Sequence, residues 1–296
     1  RYGFIDDTEG GQTSRKNANL VLTKTLDNDG IIKSNLYFIR NNFSLFSNFT
    51  FFLEDSVNGD QINQAETRNV MGYNISYSKG YDVGKVNFKT IVGGGLRDDK
   101  IYDIRLTHAK RRILADDIKR GDIYETNANL FIDETISLTS NLSLNLGIRY
   151  DHFRFRYLSK LGDTLKKAKA DGVFSPKFNV YYSPFKNVQF FLNAGQGFHS
   201  NDARVATEAT NQTTIPKANG AEIGANLKIL KKLFVNTSLW YLDLQSEFVY
   251  VGDGGFVEPS GQSRRAGVDV SMRYQVLKWL FADVDFNVAK PRFVNE

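Results

Sequence analysis

The chain has 296 residues, with 38 Lys and Arg against 33 Asp and Glu for a formal net charge of +5, so length alone excludes neither one large domain nor two ordinary ones. A mean hydropathy of -0.37 and the lack of any long apolar run exclude transmembrane helices, which need roughly 20 apolar residues. Cysteine is absent, which rules out disulfides, thiol catalysis and zinc ribbons, and His108, His152 and His199 stand at no metal-ligand spacing. Aromatic residues nevertheless make up 13% of the chain, with 23 Phe and 14 Tyr. A chain both polar and aromatic suits strands that show one face to hydrocarbon and the other to water.

Taken in order, the first marked feature is the run Phe43 to Phe52, which carries Phe43, Phe46, Phe49, Phe51 and Phe52. Alternation with a period of two then recurs along the chain. Val86, Phe88, Thr90 and Val92 oppose Lys85, Asn87 and Lys89, and Leu142, Leu144, Leu146, Ile148 and Tyr150 oppose Ser143, Asn145, Gly147, Arg149 and Asp151. The split returns at Ala221 to Ile229, at Ala266 to Tyr274 and at Leu280 to Val288. These runs approach the roughly 9–11 residues that a tilted strand needs to cross a bilayer. The expectation is that Leu144, Ile148, Ile223, Val268 and Val284 face lipid while Asn145, Arg149, Glu222, Asp269 and Asp283 face a lumen.

The connections alternate in length. Short ones fall at Lys79 to Val83, Leu138 to Asn141, Ser183 to Asn187, Leu230 to Lys232 and Gln275 to Lys278, and long polar ones at Glu54 to Gln64, Arg97 to Asp122, Leu158 to Asp171, His199 to Ala218 and Gly252 to Gly261. Short turns on one side and long loops on the other characterise outer-membrane barrels, and counting between the breaks gives about 12 strands. The pairs Tyr181-Tyr182 and Phe190-Phe191 sit beside a short turn, where headgroups would lie. A soluble β-rich protein that packs its aromatics in a dry core is the alternative reading of the same rings.

Several segments resemble the TonB-dependent receptor barrels. SPKFNVYYSPFKNVQFFLNAGQGFHSNDAR, Ser175 to Arg204, is similar to their strand-turn-strand signature, and NGAEIGANLKI, Asn219 to Ile229, to the Glu-x-Gly strand that follows. Trp240 to Val270 resembles the family's next long hairpin, while Gly147 to Phe153 and Glu125 to Glu134 fit the preceding strands. The resemblance covers most of Glu125 to Lys290, with weaker support from Phe46 to Glu66. It implies an all-β, transmembrane antiparallel β-barrel. Residues 1–296 would supply about 12 strands of a wall of roughly 22, as a partial barrel domain without the plug domain and the last strands. It also implies a place in the outer membrane, TonB as a partner engaged through an N-terminal region outside this sequence, and surrounding membrane lipid and lipopolysaccharide. The implied task is energised uptake of a scarce nutrient, with a ferric siderophore the first expectation for the small-molecule or chelate cargo. A passive porin and a soluble adhesin or carbohydrate-binding protein are the alternatives.

Other chemistry finds little support. Gly93-Gly94-Gly95 and Gly252 to Gly255 lack the ending of a phosphate loop and open no helix. The acidic pairs Asp98-Asp99 and Asp116-Asp117 have no partner acid in a shaped cleft. No catalytic residue, cofactor, metal site or nucleic-acid partner is expected. Two ligand patches are. His108, Lys110, Arg111 and Arg112 lie in the longest expected loop, where clustered cations would attract an anion. Phe198, His199, Asn201, Asp202 and Arg204 follow Gly197 and could stack on and hydrogen-bond a chelate or sugar.

Overall fold

The computed structural model describes residues 6–53, 55–162, 166–199, 203–208, 214–229, 232–251 and 256–294. In chain order the strands are β1 (Gly10–Thr25), β2 (Ile31–Ser47), β3 (Ile62–Val83), β4 (Val86–Lys110), β5 (Ile113–Ser137), β6 (Leu142–Ser159), β7 (Lys166–Phe185) and β8 (Val188–Phe198). A short helix, α1 (Ala203–Glu208), precedes β9 (Lys217–Ile229), β10 (Leu233–Leu244), β11 (Glu247–Val251), β12 (Phe256–Ser260), β13 (Ser263–Leu277) and β14 (Leu280–Phe293). The main sheet has 12 strands in the order β1-β2-β3-β4-β5-β6-β7-β8-β9-β10-β13-β14, and β11 with β12 forms a separate two-stranded hairpin. All pairings are between antiparallel strands. The sheet is open, with β1 and β14 as its edges.

The register separates two faces. Residues directly opposed across an antiparallel pair point the same way, and one such row runs Leu192, Ile223, Leu239, Val268, Val288. Ile148, Ile223 and Val284 are exposed on this apolar face, which also carries Leu144 and Val268. Asn145, Arg149, Glu222, Asp269 and Asp283 lie on the other face, as the alternation requires. There Asn179 Nδ2 donates to Asn145 Oδ1 at 2.9 Å and Asn193 Nδ2 to Glu222 Oε1 at 2.8 Å. Glu134 is an exception on the apolar face, and it accepts a hydrogen bond from Thr90 Oγ1 at 2.6 Å. Tyr182 and Phe190 face each other beside the β7–β8 turn, forming part of an aromatic belt at that end.

The connections differ from the expected loops in where strands stop. On one side the chain turns at 26–30, 84–85, 138–141 and 186–187, and the first of these, closed by Leu26 N to Gly30 O at 2.8 Å, is a turn the alternation alone does not mark. On the other side, Arg97 to Asp122 is no loop. β4 and β5, each of 25 residues, run on as a hairpin to a two-residue turn in which Arg111 and Arg112 take φ of 49° and 66°. Leu158 to Asp171 is likewise mostly strand, since β6 ends at Ser159 and β7 begins at Lys166. In the connection expected from Gly252 to Gly261, residues 256–260 form β12, which pairs with β11 just before it, and 252–255 lie outside the described residues. Strands raised above a membrane are wetted on both faces and lose the apolar alternation that marks them, so their polar residues read as loop.

Charge placed on the apolar face is predicted to be costly. Leu239→Arg should lower folding stability in lipid vesicles by about 2–4 kcal/mol, the midplane cost of an Arg on a lipid-facing barrel position. Asn236→Arg, on the opposite face of the same strand, should lose much less; equal losses would show that the faces are assigned wrongly.

Candidate functional site at the outer mouth

The long connections gather at one end of the sheet, and the predicted site residues that the structure describes fall there. His108, Lys110, Arg111 and Arg112 are at the tip of the β4–β5 hairpin, and most of them are engaged. Arg112 Nε donates to the Thr8 carbonyl at 2.6 Å, its terminal nitrogen to the Glu9 carbonyl at 2.7 Å, and its backbone N–H to Gln61 Oε1 at 2.8 Å. Its guanidinium carbon also lies 5.8 Å from the centroid of the Phe46 ring. Lys110 Nζ donates to Asn58 Oδ1 at 2.9 Å, and His108 Nδ1 lies 2.9 Å from Asp116 Oδ2. Arg111 is the outlying cation: its side chain is 73% exposed and its nearest carboxylate, Asp7, is 3.9 Å away. Three cations in sequence therefore give one that projects and two that clamp the tip to residues 6–9 and to the connection 48–61.

That connection is built on its own carboxylates. Asp55 accepts the N–H groups of Val57 and Asn58 at 2.9 and 2.8 Å, and Asp60 accepts those of Leu53 and Asp55 at 2.9 and 2.8 Å. The Asn58 backbone N–H, followed by its side-chain amide and the Val57 N–H, holds the Asp55 carboxyl below its ordinary range. Lower on the hairpin a polar network ties β4, β5 and β6 together. Arg120 Nε donates to Asp103 at 2.7 Å and Lys160 Nζ to Asp122 at 2.6 Å, while Asp103 takes a positive φ of 52° at a bulge between Ile101 and Ile104. Hydrogen bonding from Arg120 keeps the Asp103 carboxyl below its usual range.

The second predicted patch divides. Asn201 and Asp202 lie outside the described residues, and Arg204 sits on α1 with its side chain likewise outside them. His199 is exposed, and its N–H donates to the Pro216 carbonyl at 3.0 Å. Phe198 packs edge-on against Phe153, with ring centroids 5.5 Å apart. It belongs to an apolar cluster in which Ala203 and Ala206 of α1, with Ile215, cover Ile101, Ile123, Phe153, Phe155, Tyr157 and Val173. Those strand residues share the polar, inner face with Arg149 and Asp151, and Phe155 is fully buried. The described part of the β8–β9 connection, α1 with Ile215, thus lies inward over the inner wall. Phe198 is part of that packing.

Two inner-wall ion clusters were not singled out in the sequence. Asp99 is only 3% exposed; Arg68 grips it with Nε at 2.8 Å and a terminal nitrogen at 2.6 Å, and Arg97 adds a contact at 2.6 Å. Asp151, 1% exposed, takes two hydrogen bonds from Arg149 at 2.6 and 2.8 Å and one from Asn127 at 3.1 Å. A buried carboxylate left alone is costly, and bidentate guanidiniums offset that cost. Their signal is the i, i+2 spacing of Arg97 with Asp99 and of Arg149 with Asp151, which puts opposite charges on one strand face. Among the described residues, no group of three or more potential metal ligands occurs.

Comparison with known proteins bears on what this mouth belongs to. Residues 1–292 match the family described as "TonB dependent receptor-like, beta-barrel". No curated protein matches the sequence. Among solved structures, the ferric citrate transporter FecA in its unliganded form aligns with a TM-score of 0.78 at 14% identity, over 95% of this chain and 43% of that one. The siderophore receptor PiuA from Acinetobacter baumannii aligns at 0.76 and 10% identity, over 96% and 48%. The ferric-catecholate import receptor Fiu from E. coli K12, in its open form, aligns at 0.73 and 12% identity, over 97% and 47%. The copper transporter OprC aligns at 0.73 and 13% identity, over 97% and 48%. The chain spans a little under half the length of these structures, and at such identities they speak to the fold.

The inward-folded connection rests on Phe155. Phe155→Ala removes a fully buried ring, a change worth about 3–5 kcal/mol in packed cores, and should open the β8–β9 connection to trypsin at Arg204 while the main sheet stays folded. An unchanged digestion pattern would contradict the packing described.

Proposed function

The chain belongs to the TonB-dependent receptor β-barrel family, an outer-membrane family of receptors and transporters, and from that premise we propose that it forms part of the wall and mouth of a receptor for TonB-energised uptake of a scarce nutrient. The rest of a roughly 22-stranded wall and its plug would come from chain outside these residues. The observation that carries the reading is the match of residues 1–292 to that family. A passive pore would share the two-faced wall and can itself fold a connection inward to narrow its lumen, so dependence of uptake on TonB is what separates the two readings. A soluble adhesin would stack a second sheet on the apolar face, and among the described residues that face has no such cover.

For cargo, the proposal is a ferric siderophore. Solved structures of similar fold are named as ferric-catecholate, ferric citrate and siderophore receptors, and a cationic mouth suits an anionic chelate. Of the residues expected to meet it, Arg111 is the one offered to an approaching ligand. Lys110 and Arg112 set the position of the tip, and His199 stands at the rim of the inner cluster.

The test is uptake of radiolabelled ferric chelates by iron-starved cells carrying the complete receptor, with and without a functional TonB. Uptake should vanish without TonB, and Arg111→Ala should weaken capture of an anionic chelate by a few-fold, with a loss that shrinks as salt screens exposed charge over about 10 Å at roughly 0.1 M. Equal uptake in the strain lacking TonB would replace this reading with a passive pore.

A further inference from the structure

The apolar outer face is not smooth. Between β2 and β7 it holds a hollow of about 970 Å³ lined by Tyr73, Ile75, Leu96, Leu130, Ile148 and Phe174 among others. Its floor is the Gly93-Gly94-Gly95 segment of β4, where Gly94 is directly opposed by Ile75 on one side and Leu130 on the other. A Cβ at Gly94 would lie 2.8 Å from both the Asn129 carbonyl oxygen and a Leu130 methyl, so the missing side chain lets the flanking strands close over a bare backbone floor. On the outer side Tyr150 leans against Phe174 with ring centroids 4.7 Å apart. Convex lipid-facing walls have no need of such a recess, and its lining is almost wholly apolar.

Above it the same strand faces turn cationic. β6 continues outward from Ile148 and Tyr150 through His152, Arg154 and Arg156, which share one face. Successive residues of that face are about 6.6–6.8 Å apart. Arg156 lies directly opposite Tyr124, stacked on its ring at 4.2 Å, and its buried Nε has no hydrogen-bond partner. Arg154 is exposed and makes no ion pair among the described residues. Lys100 stands in the same cross-strand row as Tyr124 and Arg156; its own charge is balanced by Asp98 at 2.7 Å. Two guanidiniums without carboxylate partners thus sit at the upper rim of an apolar recess, on the lipid side of the wall and at the end where the long connections lie.

We propose that this is a binding site for one molecule of lipopolysaccharide, with an acyl chain in the hollow over Gly94 and a lipid A phosphate held by Arg154 and Arg156. Guanidinium binds phosphate with paired, charge-assisted hydrogen bonds, and stacking on Tyr124 presets Arg156 for that geometry. Charge complementarity names the headgroup, and the recess below names the chain. The site depends on the orientation of the barrel and not on its cargo.

The test uses the complete receptor extracted from outer membranes, with bound lipid counted by native mass spectrometry after addition of bisphosphorylated lipid A or of phosphatidylglycerol. The wild-type protein should retain one lipid A through washing. Arg154→Ala with Arg156→Ala should cut retention roughly tenfold or more, from about 1 kcal/mol for each basic residue at an anionic surface. Ala128→Trp, which fills the hollow from its lining, should cut it with both guanidiniums intact. Lys290→Ala with Arg292→Ala, two exposed cations of the same face at the far edge of the sheet on β14, should leave it unchanged. Retention is read only on protein that keeps the heat-modifiable migration of a folded barrel, and the single Arg154→Ala variant serves if the double variant does not fold. Full retention by the arginine variants, an equal loss in the Lys290 and Arg292 control, or displacement of lipid A by an equal amount of phosphatidylglycerol would each overturn the proposal. None of these outcomes depends on whether a ferric chelate is transported.

Discussion

Backbone N–H and C=O groups that enter hydrocarbon have no water to bond to, and each one left unpaired costs several kcal/mol. The architecture follows from meeting that demand with strands. From β2 to β13 each strand of the main sheet is hydrogen-bonded on both sides, so its backbone groups are matched by neighbours in the sheet. Once the backbone is committed to a sheet, side chains can only alternate, and a sheet between lipid and a watery interior must be apolar at every second position. The row through Leu192, Ile223, Leu239, Val268 and Val288 and the hydrogen-bonded row of Asn145 and Asn179 are two products of that single constraint.

The constraint relaxes above the membrane. β4 and β5 keep pairing well beyond the length a bilayer requires, but bulges interrupt their register between Ile101 and Ile104 and again near Thr107. Bulges bend and twist a hairpin, and here the distorted region is where Asp103, Arg120, Asp122 and Lys160 join three strands. Higher still the tip is held by backbone carbonyls of residues 8 and 9 and by Gln61. The mouth is therefore braced by polar contacts between separate connections, and by one apolar cluster in which α1 and Ile215 seal Phe153, Phe155 and Tyr157.

How much of this was legible in the sequence depended on whether lipid imposed a pattern. Leu144, Ile148, Ile223, Val268 and Val284 were placed on the correct face because hydrocarbon tolerates no other choice there. The outer halves of β4 and β5 carry Asp98, Asp99, Lys100, Asp116 and Asp117, and with no hydrocarbon against them nothing forces them to alternate apolar with polar, so they read as a loop. The turn that closes them was hidden too, since Arg111 and Arg112 adopt positive φ without the Gly or Asn that usually announces it. For the candidate site, the sequence found the cationic tip but could not tell which cation was engaged; that depends on carbonyls of Thr8 and Glu9, a hundred residues away in the chain. Phe198 looked like a stacking platform for a ligand because its covering partners, Ala203, Ala206 and Ile215, carry no recognisable signal of their own. The inner-wall aspartates were within reach, given attention to charge at i, i+2 on one strand face.

The central claim is that one end of this sheet, carrying the hairpin tip, faces the outside of the cell, while the short turns face the periplasm. The segment contains no cysteine, so a single one placed in it reports without background from these residues. Arg111→Cys and Lys85→Cys, the latter in the turn between β3 and β4, are to be treated on intact cells with a thiol reagent that cannot cross the outer membrane. Labelling of the Arg111 position on intact cells, with the Lys85 position labelled only after the membrane is breached, is the expected result. The reverse pattern would contradict the orientation on which the mouth, the ligand route and the lipid site all rest.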